Sequence, residues 1–530
     1  MRNAHPRAKV CGVALAASMM SACNVGPRYE KPPVYASTSF KEAAATAYAG
    51  IPPGTWQPAQ PQDAKLKGKW WEMFGEPELN SLEERLTIDN QTLAQYFENF
   101  MAARAQVDVA RAGYFPTVSV SPSYTNEGAG TVGARAAIAA GGANAPAVTT
   151  SGFVVTNIFA LPIEASWAPD LWGRVGNTVR QYRYAAQVSA ADLENERLTE
   201  QAALAIYYFE LRGQDGLQDL YERTIAADRQ SLELARAQSS TGIGTEEAVA
   251  QAEVTLENAE ATGTGLATNR ALYEHAIATL IGTPASGFSM PVRALSTPVP
   301  PIPVGIPSQI LQRRPDIAAA ERTLAQANAL IGIEKAAYYP SLNLTGTGGL
   351  ESSSLSTLFS LPALFWSLGA SLSETLFDGG LRGATVDQYT ALYRADVAAY
   401  RQTVLTAFQQ VEDYVATLRV LSQQIARQTT AVEAAQRFLD IATSAYQTGI
   451  DPYLDVITAE TILLSDRQTL TTLRVSEMTA AVQLVQALGG GWDVTQLPKA
   501  SDVTSADAAR RVSHGAADPG DDGASGPSQK

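Results

Sequence analysis

Residues 176–240 read GNTVRQYRYAAQVSAADLENERLTEQAALAIYYFELRGQDGLQDLYERTIAADRQSLELARAQSS, a run with no proline and only Gly176, Gly213 and Gly216. The next run, 246–281, is also proline-free, and 384–447 and 453–488 are later counterparts of the pair. At the α-helical rise, the 64 residues of 384–447 predict a rod of roughly 95 Å. A lone rod of that length cannot bury an apolar face, so it must pair along its length. Gly242-Ile243-Gly244 and Gly449-Ile450-Asp451-Pro452 break the runs and turn each rod back as a hairpin.

Working outward, the landmarks recur in one order. RAGYFPTVSV at 111–120 matches KAAYYPSLNL at 335–344, an offset of 224. DLWGR at 170–174 matches DGGLR at 378–382 more loosely, and TGIGTEEAVAQAE at 241–253 matches TGIDPYLDVITAE at 448–460. Leu280-Ile281-Gly282 matches Leu488-Gly489-Gly490. Four matches in one order read as an internal duplication. The later offsets are 207 or 208, so the first half carries extra residues, placed in the Gly/Ala-rich stretch 127–152.

Each half begins with a helix, about 78–111 and 316–338, followed by two strands. In the first half these run about 115–125 and 153–168, in the second 341–349 and 363–377, the latter pair joined by a serine-rich loop at 351–357. Val118, Val120, Pro122 and Tyr124 alternate with Ser119, Ser121 and Ser123, as in a sheet wet on one face only. Four membrane strands cannot close a barrel, and open edges are not tolerated in hydrocarbon. Three chains would supply twelve strands, although periodicity alone does not fix that number. The expected fold is therefore a mixed α/β membrane protein, its β-barrel continued by a long α-helical coiled-coil barrel.

The ends have their own logic. Residues 1–9 carry Arg2, Arg7 and Lys9 and no acid, residues 10–22 are mostly apolar, and Met20-Ser21-Ala22 precede Cys23. This reads as an export signal over 1–22, with Cys23 as a lipid-bearing first residue. The segment 23–77 is read as extended. Repeats of 78–283 and 310–490 flank a linker at 284–309 that contains seven prolines. The segment 491–530 reads as a largely disordered tail. Cys11 and Cys23 are the only cysteines, so no disulfide framework or cysteine metal site follows.

Charged residues make up 17% of the chain and the formal net charge is −14, which argues against nucleic acid. The three histidines, His5, His275 and His514, lack companions for a metal site or proton relay. No enzyme, cofactor or metal is expected. Gly128-Ala129-Gly130-Thr131-Val132-Gly133 has dinucleotide spacing but no βαβ context, and is read as outer loop. No later stretch reads as a membrane helix.

Several strings resemble the outer membrane factor family, the TolC/OprM-like efflux ducts, and most closely its nodulation-transport-type lipoprotein branch. They are Cys23-Asn24-Val25-Gly26-Pro27-Arg28-Tyr29, Trp70-Trp71 through Phe74-Gly75-Glu76-Pro77-Glu78-Leu79, and Arg313-Arg314-Pro315-Asp316-Ile317 leading to Tyr338-Tyr339-Pro340. The resemblance covers roughly residues 23–498. It implies a homotrimer with a 12-stranded outer-membrane barrel and a periplasmic helical barrel. It further implies a passive exit channel for small molecules, served by a periplasmic adaptor (a membrane fusion protein) and an inner-membrane pump of the RND type. A periplasmic coiled-coil adaptor or scaffold lipoprotein, and a general porin, are the alternatives.

The resemblance also places Asp455 in the pore at the periplasmic tip, where three copies would form an acidic ring. Asp451 is open to two roles, an N-cap behind Pro452 or an aperture acid. Thr458 stands where the family has a second gate acid, so a second ring there is not expected. Tyr446 is read either as packing at the aperture or as a coiled-coil contact. Gly242, Gly244 and Gly449 are read as turn formers whose shape an adaptor would recognise. Glu246 and Glu247 are either adaptor contacts or first-turn acids behind Thr245. Arg313, Arg314, Pro315 and Asp316 are read as a structural joint, and Pro116 and Pro340 as helix-to-strand transitions. Trp172 is placed at the strand-to-helix return, near the lipid interface.

Overall fold

A computed structural model describes residues 24–34, 40–42, 68–130, 153–242, 244–302, 307–499 and 502–504. The signal at 1–22, Cys23, residues 131–152 and the tail beyond 504 lie outside them. The described elements are α1 (Pro77–Asp89), α2 (Gln91–Ala112), β1 (Thr117–Val120), β2 (Ser123–Gly130), β3 (Phe153–Trp167), α3 (Arg174–Ser240) and α4 (Glu246–Leu280). There follow α5 (Pro307–Arg313), α6 (Pro315–Ala336), β4 (Ser341–Ser352), β5 (Leu364–Ser373), α7 (Leu381–Gln447) and α8 (Tyr453–Ala487). The rods α3 and α7 have 67 residues each, and their return helices α4 and α8 have 35 each. No helix among the described residues is long and apolar enough to cross a membrane.

The chain divides into two compact units, one of residues 1–30, 105–183 and 325–394, the other of the remainder. The first holds an antiparallel sheet. β3 pairs with β1 and β2 on one side and β4 on the other, and β4 pairs with β5. The first strand is broken where a single strand over 115–125 was expected. Ser121 N donates to the Pro162 carbonyl at 3.3 Å, but Pro162 has no N–H to return, so pairing lapses after Val120 and resumes in the same register at Ser123. The sheet is thus four strands wide. β2 also reaches Gly130, so Gly128–Gly130 is strand where outer loop was expected, and β4 extends into the serine-rich stretch as far as Ser352.

Residues directly opposite across a sheet share a face. One row reads Val120–Ile163–Gly348–Trp366, the next Ser119–Glu164–Thr347–Ser367, and the third Val118–Ala165–Gly346–Leu368. Apolar and polar rows therefore alternate across all four strands. The apolar face stays uncovered in the single chain, with Trp366 75% and Leu368 79% exposed.

In the same unit the N-terminal segment is pinned. Asn24 Oδ1 accepts from Asn177 Nδ2 at 2.9 Å, and the Pro27 carbonyl accepts from Asn328 Nδ2 at 3.0 Å. A Cβ on Gly26 would lie 2.8 Å from the Cα of Gly332, so the two backbones pack directly. Trp172 donates to the Pro340 carbonyl at 2.8 Å and stacks on Tyr339, tying the strand-to-helix return to the helix-to-strand transition.

The second unit packs Trp70, Trp71 and Phe74 with α1, α3, α4 and α8 in a core that includes Leu79, Leu204, Tyr208, Phe209, Ile277 and Val482. Over residues 288–302 the proline-rich connection is extended but clamped, a stronger constraint than a linker. Glu76 is hydrogen-bonded by Thr297, Tyr208 and Arg293. Arg212 reaches Asp215 at 2.9 Å and the Pro291 carbonyl at 2.7 Å, and Arg270 holds Asp215 and the Met290 carbonyl. Burial alone would raise the pKa of Glu76, but the hydrogen bonds from Thr297, Tyr208 and Arg293 bring it below its ordinary value. The segment after α8 is also packed at first, not disordered. Trp492 and Leu497 are buried with Phe100, Ala190 and Ala319, and the Val503 carbonyl accepts from Arg104.

The expected single helix at 78–111 breaks at Asn90, although no proline stands there. Asn90 has extended backbone (ψ 120°), and its Oδ1 accepts from Leu93 N while its Nδ2 donates to the Leu280 carbonyl at 2.9 Å. The later joint copies this arrangement. Arg314 donates to the Ala487 carbonyl at 3.0 Å, and also holds Gln410 and, through two nitrogens, Asp316. Pro315 opens α6 as expected. Gly282 and Gly489 have positive φ (65° and 93°), and a Cβ on either would meet the carbonyl oxygen of Asp89 or Arg313 at 2.3 or 2.1 Å. Gly489→Ala and Gly282→Ala should each destabilise the second unit by more than about 2 kcal/mol. Thermal unfolding of the detergent-solubilised full chain, compared with Gly287→Ala where no atom lies within 4 Å of the added Cβ, checks this.

Candidate functional site

The two helical hairpins turn at Gly242 and Gly449, both with positive φ (76° and 74°) that a side chain would strain. Gly244 is small for another reason. Its φ is not positive, but a Cβ there would lie 3.0 Å from that of Gln238. Thr245 caps α4 by accepting from Ala248 N at 3.2 Å, which leaves Glu246 and Glu247 exposed in the first turn. Acids at that position complement the helix dipole.

The second turn corrects one expectation. α8 starts at Tyr453 with Pro452 at the N-cap, and no side chain caps it. Asp451 therefore precedes the cap and is exposed, free of the N-cap role. Asp455 lies in the first turn, half-exposed, with its N–H donating to the Pro452 carbonyl at 3.1 Å. Ile450 and Leu454 are exposed beside it, 77% and 53%.

Tyr446 joins the two hairpins. Its hydroxyl donates to Gln238 of α3, and its ring packs on Tyr453 with centroids 5.2 Å apart. Beneath these rings the four helices share one apolar seam. It contains Leu232 and Ala235 of α3, Ala252 and Leu256 of α4, Ala442 of α7, and Tyr453, Val456 and Ala459 of α8. Burial raises Tyr453 to about 12, so it stays a neutral hydroxyl there. Two acids belong to this seam that the sequence reading passed over, Asp228 and Glu460. Their signal was positional: each takes an apolar place in a heptad-like stripe.

The described residues contain no group of three or more His, Cys, Asp or Glu placed to hold a metal ion. The acids of the two turns, Glu246, Glu247, Asp451 and Asp455, belong to a polar rim over an apolar seam. Arg313, Arg314, Pro315 and Asp316 stand at the joint described above, and Pro116 and Pro340 at the margins of the sheet.

Comparison with known proteins gives a consistent picture. Residues 84–283 and 306–490 match the family described as outer membrane efflux protein. The toluene efflux pump outer membrane protein TtgC of Pseudomonas putida is 29% identical over 483 residues, 91% of this chain and 95% of that protein. The pyoverdine export outer membrane protein OpmQ of Pseudomonas aeruginosa is 29% identical over 446 residues, 83% of this chain and 91% of its own. Among solved structures, the outer-membrane channel OprN superposes with a TM-score of 0.77 at 26% identity, covering 89% of this chain and all of that one. The open state of the Neisseria gonorrhoeae MtrE outer membrane channel gives 0.74 at 25% identity, covering 89% and 99%.

At the tip itself, Tyr446→Phe keeps the ring on Tyr453 and loses the bond to Gln238, at an expected cost of about 1 kcal/mol. Tyr446→Ala removes both and should cost about 2 kcal/mol or more. Local opening free energies for residues 442–456, from hydrogen exchange of the full chain in detergent, check the order and the gap.

Proposed function

The chain belongs to the outer membrane efflux protein family and acts as an outer-membrane channel in efflux; from that premise we propose that three copies close one exit duct. In this reading each chain gives four strands to a twelve-stranded barrel, and the rods of the three chains line up as a periplasmic tube. The internal duplication supplies the two hairpins per chain. The observation that carries the proposal is the alternation of apolar and polar rows across the registered sheet. Such a sheet suits lipid on one face and a water-filled lumen on the other. Its outer strands pair on one side only, a state that hydrocarbon does not tolerate. A general porin would be built from strands alone, and a periplasmic adaptor would have no use for the exposed apolar rows.

Small molecules then pass down the duct without chemistry, driven by an inner-membrane pump of the RND type and delivered through a periplasmic adaptor. The adaptor docks on the hairpin turns, reading the backbone at Gly242, Gly244 and Gly449 and the exposed Glu246 and Glu247. Asp455, in three copies, forms an acidic ring at the aperture, with Asp451 beside it and Tyr446 bracing the closed state. Cys23 carries the lipid. Support comes from Asn24, the next residue, which lies against Gly173 at the strand-to-helix return, where the sheet gives way to helix.

The detergent-extracted protein should run as a trimer and form cation-preferring channels in planar bilayers. A monomer without conductance would sink the duct reading. Asp455→Ala should raise conductance and weaken cation preference, and an unchanged trace removes Asp455 from the gate. Cys23→Ala should eliminate the acyl mass found by mass spectrometry on the mature N-terminus.

A further inference from the structure

Two acids occupy positions where the tip seam wants apolar side chains. On α3 the inward stripe runs Tyr221, Ile225, Asp228, Leu232 and Ala235, with spacings of four and three. On α8 it runs Tyr453, Val456, Glu460 and Leu463. Heptad seams take polar residues at such places only at a cost in stability, and often as a device. Asp228 is 3% exposed, and one carboxylate oxygen of each acid is buried without a hydrogen-bond partner. Among the described residues no cation pairs with either. Arg229 and Arg236, which flank Asp228 on its own rod, turn outward to Glu260 and Glu253. α4 faces the seam with Ala252, Leu256 and Ala259, and α7 with Ala435, Leu439, Ala442 and Tyr446. Arg427 and Arg437 of α7 are exposed, and Arg467 of α8 is held by Gln436. Asp455 lies on another face of α8, five residues before Glu460. The remaining titratable neighbours are the hydroxyls of Tyr453 and Tyr446, both neutral.

We propose that Asp228 and Glu460 form a proton-held latch: while they are neutral the two hairpins stay zipped near their turns, and loss of the protons loosens the seam. An ionised carboxylate in this seam has little solvent, no paired cation among the described residues and an incomplete set of donors, and a second ionised neighbour repels it. Burial raises Asp228 to about 6, and burial together with the Asp228 charge raises Glu460 to about 7. An acid raised in the folded chain supports the fold while protonated. That support is complete below the ordinary carboxylate range and is lost as pH climbs through about 6 and then about 7. The latch is read within one chain; only its consequence, an aperture that loosens as protons leave, rests on the duct reading above.

Hydrogen exchange of the full-length protein in detergent, corrected for the intrinsic pH dependence of exchange, tests it. Between about pH 5.5 and about pH 8, protection of residues 435–446 and 453–463 should fall roughly tenfold, one pKa unit's worth, while residues 200–212 hold steady. The Asp228→Asn, Glu460→Gln double variant should flatten that fall to less than about twofold. If the double variant does not fold, Asp228→Asn alone should at least halve the fall. A flat wild-type profile, or the same fall in the amide variants, overturns the latch. Bilayer conductance of the same preparations keeps the readings apart. No conductance in any sample defeats the duct, whereas conducting protein with a flat exchange profile defeats the latch alone.

Discussion

A backbone N–H or C=O in hydrocarbon has no water to bond, and each one left unpaired costs several kcal/mol. The sheet described here satisfies its inner strands and leaves one row of such groups on the β1/β2 side and another on β5. With an exposed apolar face between those rows, a single copy of the sheet suits neither water nor lipid. Pairing edge to edge with further copies removes both problems together. The width of four strands then matters more than any one residue. It is too narrow to curl back on itself, and that is the constraint the three-chain closure proposed above answers.

The rods face a milder version of the same difficulty. An amphipathic helix of 67 residues has an apolar stripe that only another helix can cover along its whole length. The chain meets this by folding each rod against a shorter return helix. The joints are sealed with glycines that leave no room for a Cβ beside the carbonyls of Asp89 and Arg313. Those contacts are the same in both halves despite different capping chemistry, an asparagine in one and an arginine–aspartate pair in the other. What the two halves share is backbone proximity, and side chains were free to diverge around it.

Long proline-free runs, the glycine turns and the order of landmarks were legible in the sequence because each depends on local chain stiffness. Helix ends at Ser240, Glu246 and Gln447 fell where glycine or proline interrupts periodicity. Errors arose where a distant contact overrode a local rule. Asn90 ends α1 because the Leu280 carbonyl, 190 residues away, accepts from its side chain. The strand over 115–125 looked continuous, yet Pro162 of β3, opposite Ser121, withholds the one N–H the ladder needs there. The proline-rich connection looked loose, but buried Arg212 and Asp215, far from it in sequence, hold it down. At the hairpin turns the glycines and exposed acids were visible beforehand. Asp228 and Glu460 were not, since a carboxylate at helical spacing reads as solvated surface until four helices are seen to enclose it.

The N-terminal clasp bears on the order in which the chain can mature. Asn24 and Gly26 rest on Asn177 and Gly173 from the first half and on Gly332 from the second, and Pro27 is held by Asn328. A ribosome releases residue 332 some 300 positions after residue 26, so the leading segment has no complete seat until most of the polypeptide exists. Docking of residues 24–27 therefore needs both halves, and it ties them to one short strap.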